Sequence, residues 1–63
     1  MKKEDFLKLS AHLSNEVRNN LFDALNKQTS WGSDKINHVM LLLQIQYGFE
    51  HKESHDAVAL FLD

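Results

Sequence analysis

The segment from residue 34 to residue 47 most constrains how this 63-residue chain folds. Its apolar residues follow helical spacing on two sides. One side carries Ile36, Val39, Met40, Leu43 and Tyr47, and the other carries Leu41, Leu42 and Ile45. A helix that is apolar on both sides has to be covered on both sides, so we expect it to lie at the centre of the fold.

The rest of the chain is short for covering both sides of this helix. Ten Leu and four Ala, against six β-branched residues, favour helix throughout. A chain of this size without Cys needs efficient helix packing or a partner chain to cover its apolar surface. We therefore expect an all-α fold, one domain over residues 1–63, with a small bundle of three or four helices completed by homodimerisation. The predicted dimer core consists of Ile36, Val39, Met40, Leu42, Leu43 and Ile45.

The first half of the chain carries one apolar stripe from residue 4 to residue 28. Its members are Phe6, Leu9, Leu13, Val17, Leu21 and Ala24. Polar residues weaken helix propensity in the middle, and Ser14 is suited to cap a new helix beginning at Asn15. The sequence leaves open whether this stretch forms one helix or two.

Three further signals predict the remaining boundaries. Ser33 is expected to cap a helix that starts at Asp34. Gly48 is expected to end this helix in a left-handed conformation, with Phe49 folding back toward Leu43. Ser54 is expected to cap a last short helix, from residue 57 to residue 62.

The charge balance and the apolar runs argue against several classes of partner. The formal net charge is −2, which provides no drive toward phosphate backbones or anionic lipid. The longest apolar run, from Val39 to Leu43, is far too short to cross a membrane. The absence of Cys fits a reducing compartment, and we expect a cytoplasmic protein without a membrane or nucleic-acid partner.

The sequence offers little for catalysis or for metal binding. His51 and His55 have metal-like spacing, but a helix that starts at Ser54 would separate them. We interpret them as solvated polar residues. No Ser is framed by glycines, and Gly32 and Gly48 are isolated from each other. The prediction is a protein with no catalytic residues, no metal and no cofactor.

The candidate partner-binding residues are Arg18, Asn19, Phe22 and Trp31. On one continuous helix, Phe22 would point away from the apolar stripe, beside Arg18 and the Asn residues. An aromatic side chain beside polar residues is typical of an anchor at a protein interface. The alternative is that Phe22 widens the core face. Trp31 has the same two interpretations, a partner contact or a plug at the end of the core.

These patterns predict a non-enzymatic protein–protein interaction module that regulates or inhibits an unidentified partner protein. The alternative is a small transcriptional regulator of helix-turn-helix type, with helices at 4–12 and 16–28. Its base-reading residues would be Asn15, Arg18, Asn19 and Asn26. The shortage of cationic side chains and the position of Phe22 argue against this alternative.

Overall fold

The structure, a computed structural model, describes residues 2–62. These residues form four helices and contain no strand: α1 (Lys2–Leu9), α2 (Asn15–Lys27), α3 (Ser33–Tyr47) and α4 (His51–Ala59). The predicted all-α fold is confirmed. Met1 and Asp63, the two ends of the predicted domain, lie outside the described residues.

All four phenylalanines of the chain meet in one cluster. Phe6 of α1 is fully buried at its centre. The centre of its ring lies 5.8 Å from that of Phe22, 6.4 Å from that of Phe49 and 5.9 Å from that of Phe61. These rings come from α2, from the turn after α3 and from the residues after α4. The cluster therefore connects every part of the described chain.

Helix α3 packs most extensively on α4, and α1 contacts both α2 and α4. Val39 and Leu43 of α3 belong to the same buried cluster as Ala57 and Val58 of α4. The central position expected for the helix in this segment is wrong: among the four helices α3 packs on α4 alone, and its opposite side faces solvent.

The first half of the chain forms two helices, separated by residues 10–14. Ser14 caps α2 as expected, because its hydroxyl oxygen accepts a hydrogen bond of 3.2 Å from the Val17 amide. Ser10 is fully buried, and its hydroxyl donates a 2.7 Å hydrogen bond to the Phe6 carbonyl. This bond satisfies the hydroxyl within its own turn, so burial leaves no unpaired polar group.

The end of α3 also follows the prediction. Gly48 has a φ of 69°, in the left-handed region, and the Phe49 amide donates a 3.0 Å hydrogen bond to the Leu43 carbonyl. The His12 ring donates from Nε2 to the Tyr47 carbonyl at 2.7 Å. This bond satisfies one of the carbonyls that a helix end leaves free, and it joins the α1–α2 turn to the end of α3.

Two predicted caps are wrong. Ser33 is the first residue of α3, and Gly32 takes the capping position. Ser54 lies inside α4, fully buried, with its hydroxyl donating to the His51 carbonyl at 2.7 Å. Helix α4 begins earlier than expected because the turn after α3 spans only residues 48–50, and the Glu53 carboxylate accepts the Glu50 amide at 3.2 Å.

The two glycines provide a matched test of this backbone geometry. We expect Gly48→Ala to lower the free energy of unfolding by about 1 kcal/mol, because Ala rarely adopts a positive φ. A Cβ at Gly48 would meet only the His12 ring, at 3.9 Å, so the cost is conformational. Gly32 has a φ of −70° and open space around it, so the gain of about 0.4–1 kcal/mol from a less flexible unfolded chain should offset the loss of Gly at the capping position, and Gly32→Ala should cost clearly less than Gly48→Ala. Urea unfolding followed by circular dichroism measures both, and equal losses would contradict the assignment.

Candidate functional site

The buried face of α2 is not the one that the apolar stripe indicates. Its buried residues are Leu21, Phe22 and Leu25. At 100° per residue their mean direction lies about 110° from the centre of the stripe that extends from Phe6 to Ala24. Val17, a stripe member, is exposed instead. The break at residues 10–14 lets α2 rotate independently of α1, so one angular frame does not apply to both helices.

Phe22 therefore belongs to the core, as the alternative interpretation holds. It is 8% exposed, and its ring centre lies 5.6 Å from that of Phe61. The Lys3 ammonium lies 5.7 Å from the centre of the Phe22 ring and covers it further. The prediction of Phe22 as an exposed anchor is wrong, because its ring is buried within the aromatic cluster.

Arg18 and Asn19 are engaged in bonds within the chain. The Arg18 guanidinium donates from Nη1 to the Leu7 carbonyl at 3.3 Å and from Nη2 to the Asn15 side-chain oxygen. Asn19 donates to the Asn15 backbone carbonyl at 2.7 Å. Arg18 thus connects α2 to the last turn of α1. Three of the residues that the helix-turn-helix alternative assigns to base reading are held in these local bonds.

Trp31 lies where the plug interpretation places it. The ring is half-buried and stacks on Phe61, with 6.1 Å between centres and 18° between planes. A mainly polar surface cleft of about 340 Å³ adjoins it, with Lys2 and Gln28 among its walls. Of the predicted partner-binding residues, Phe22 is buried, whereas Arg18, Asn19 and Trp31 are only partly buried and stay a prediction.

The predicted dimer core divides into two groups. Val39 and Leu43 are 4% and 0% exposed within the single chain, so they are not available to a second copy. Ile36 and Met40 are half-buried and pack against the same core. The two groups separate because α4 and the aromatic cluster cover the inner side of α3. The outer side retains Leu42, half-buried, and Ile45, which is 79% exposed.

The outer face of α3 is the candidate site. We define it as the five residues that line a shallow depression of about 230 Å³: His38, Leu41, Leu42, Ile45 and Gln46. Leu41 is 56% exposed, and together with Ile45 it is the most exposed of the large apolar residues described. The dimer-core prediction omits Leu41, although its spacing places it on this side. Contiguous exposed apolar surface of this kind is typical of interaction sites.

The charges around this face lie at one end. No formally charged side chain occurs from Ile36 to Phe49. A second depression, lined by Asp34, Lys35 and His38, continues the outer face toward the start of α3. His38 is shared by both depressions. The outer face of α3 is therefore a mainly apolar surface without formal charge, and the charged side chains of Asp34 and Lys35 lie beside one of its ends.

The two histidines of interest lie on one helix, which corrects the expectation that a helix start separates them. His51 and His55 are both exposed on α4, and His55 Nδ1 lies 3.8 Å from an Asp56 carboxylate oxygen. Within residues 2–62, no three His, Asp or Glu side chains come together in a way that would hold a metal ion.

Comparison of the chain with protein-family models, with curated proteins and with solved structures gives no match. None of the helices between Lys2 and Leu62 is long and apolar enough to span a membrane.

Phe22→Ala tests the reassignment of Phe22 to the core. Removing a buried ring costs about 3–5 kcal/mol, which is most of the stability available to a domain of this size. We expect Phe22→Ala to be largely unfolded and Phe22→Leu to remain folded with a lower urea midpoint. A fully folded Phe22→Ala protein with wild-type stability would contradict the assignment of Phe22 to the core and support a surface position.

Proposed function

We propose that this protein is a non-enzymatic interaction module of the cytoplasm, and that it regulates or inhibits a partner protein by binding it through the outer face of α3. The observation that carries this proposal is the exposure of Leu41 and Ile45, 56% and 79%, on one uncharged face of one helix. Exposed apolar side chains that lie together provide the buried centre that protein interfaces require.

The size of this surface limits how the partner binds. Leu41 and Ile45 expose on the order of 200 Å² of apolar surface, which at about 25 cal/mol per Å² contributes about 5 kcal/mol on burial. Association itself costs about 4–15 kcal/mol. The partner therefore has to contact the flanking residues as well, which favours a groove or a second helix that runs along α3.

We also propose that the chain forms a homodimer, with a smaller core than the sequence indicates. A second copy would cover Leu41, Leu42 and Ile45, since the chain itself already covers Val39 and Leu43. This proposal agrees with the limited capacity of so short a chain to bury its apolar surface.

A charge placed on the outer face tests the binding proposal. We expect Ile45→Lys to abolish partner binding while the melting temperature of the dilute protein stays close to that of the wild type, because Ile45 is largely exposed in the single chain. Val17→Lys is the matched control, since Val17 is 36% exposed on α2. Proteins retained from an extract of the producing organism by the wild type and by Val17→Lys, but not by Ile45→Lys, are then purified and titrated. Equal retention by all three proteins would contradict the proposal.

The wild type and the two Lys variants also test the helix-turn-helix alternative. Binding to random duplex DNA that collapses steeply as salt rises would favour a DNA-binding regulator. We expect no such binding.

The homodimer is tested by thermal melting at several protein concentrations. The melting temperature of the wild type should rise over a concentration range of about a hundredfold, as mass action requires of a dimer. The melting temperature of Ile45→Lys should stay constant over the same range. A constant value for the wild type would contradict the homodimer.

A further inference from the structure

We propose that the surface cleft beside Trp31 binds a small carboxylate with a flat apolar body, that is, a small aromatic acid. The cleft has a volume of about 340 Å³, at the lower end of the range of small-molecule sites. Its walls come from α1, the end of α2, the loop before α3 and the residues after α4, and none of the described residues that line it belongs to α3. The site is therefore separate from the outer face of α3, and it does not depend on the proposed function.

An unsatisfied donor in the wall of the cleft carries the proposal. The Nε2 atom of Gln28 is shielded from solvent and has no hydrogen-bond partner among residues 2–62. A shielded donor without a partner costs free energy, which a suitable acceptor recovers. Gln28 lines the cleft, and rotation of its terminal amide, a soft torsion, would bring the donor to the cleft surface. The first requirement on the ligand is therefore an acceptor oxygen.

The charge of the walls selects an anion. Among the described residues, the lining includes one cation, Lys2, and no acidic side chain. The Lys2 ammonium lies 5.2 Å from the centre of the Phe61 ring, which is itself a wall of the cleft, so the positive charge lies beside the cleft. A carboxylate carries a single charge and matches one ammonium and one amide, and hydrogen bonds to a charged acceptor are the stronger kind.

The remaining walls suit an apolar body. Trp31 is half-buried and stacks on Phe61 with 18° between the ring planes, so part of the indole stays open. Leu62 is 44% exposed and lines the same cleft. A flat ring packed against these two residues covers apolar surface that the described chain leaves exposed. The ring and the carboxylate together define the class of ligand.

The test uses phenylacetate as the probe, because it has both features. Its controls are phenylacetamide, which lacks the charge, and acetate, which lacks the ring. We expect phenylacetate to shift the NMR signals of the Gln28 side-chain amide and of the Trp31 indole N–H until they saturate, and to raise the melting temperature, as binding to the folded state requires. Both control compounds should bind at least about fivefold more weakly.

These measurements also define failure. If neither signal shifts with phenylacetate up to about 10 mM, the cleft is not a site for this class of ligand and the proposal is overturned. Equal binding of phenylacetamide would overturn the requirement for an anion, and equal binding of acetate would overturn the requirement for a flat apolar body.

Gln28→Leu removes the donor and keeps most of the side-chain volume. The backbone bond from the Gln28 amide to the Leu25 carbonyl does not involve the side chain. Because the lost donor has no partner in the described chain, the melting temperature of the free variant should stay equal or rise, while its affinity for phenylacetate falls at least about fivefold. A lower melting temperature with unchanged affinity would show that Gln28 serves the fold, and would overturn the proposal.

Lys2→Met removes the charge of the cleft and keeps an unbranched side chain. Lys8→Met is its matched control, because Lys8 is exposed in the last turn of the same helix and does not line the cleft. We expect Lys2→Met to weaken phenylacetate binding about two- to fivefold and Lys8→Met to leave it unchanged. Equal losses in the two variants would show an effect of net charge alone, and would overturn the assignment of the carboxylate to the cleft.

Discussion

The contact among the four phenylalanines holds the rest of the structure together. Helices α1 and α4 have eight and nine residues, and isolated helices of this length are unstable in water. Phe6 and Phe61 bring these two helices against α2 and the turn after α3, and the tilted and edge-on ring pairs add to the burial of apolar area. The helices form because the cluster forms, and the apolar residues of the outer face of α3 take no part in that core.

Boundaries governed by local chemistry are predictable from the sequence. Ser14 caps α2, and Gly48 ends α3 with the predicted return to Leu43, because each depends on a few neighbouring residues. Ser33 and Ser54 fail as predicted caps because a serine is equally suited to a first helical turn or to a buried position where its hydroxyl bonds back to its own helix. Only the length of the turn after α3 decides between these outcomes for Ser54.

The candidate site is less predictable for a different reason. Assigning a side chain to the core or to the surface requires the direction of its helix, and a break between α1 and α2 resets that direction. Phe22 is consequently in the core and Val17 at the surface, the reverse of what one continuous stripe indicates. Within α3, which is unbroken, the spacing correctly separates Val39 and Leu43 from Leu41 and Ile45. The sequence does not show which of the two apolar sides of α3 is covered by the rest of the chain, because that depends on where α4 docks.

The stacking of Trp31 on Phe61 makes the single indole of the chain a local optical reporter. Its emission responds to whether Phe61, which follows α4, stays docked against the loop that precedes α3. The outer face of α3 contains no indole, so an occupant without tryptophan would leave this signal largely unchanged. Intrinsic fluorescence therefore follows the unfolding of this end of the core and not the occupation of the outer face of α3.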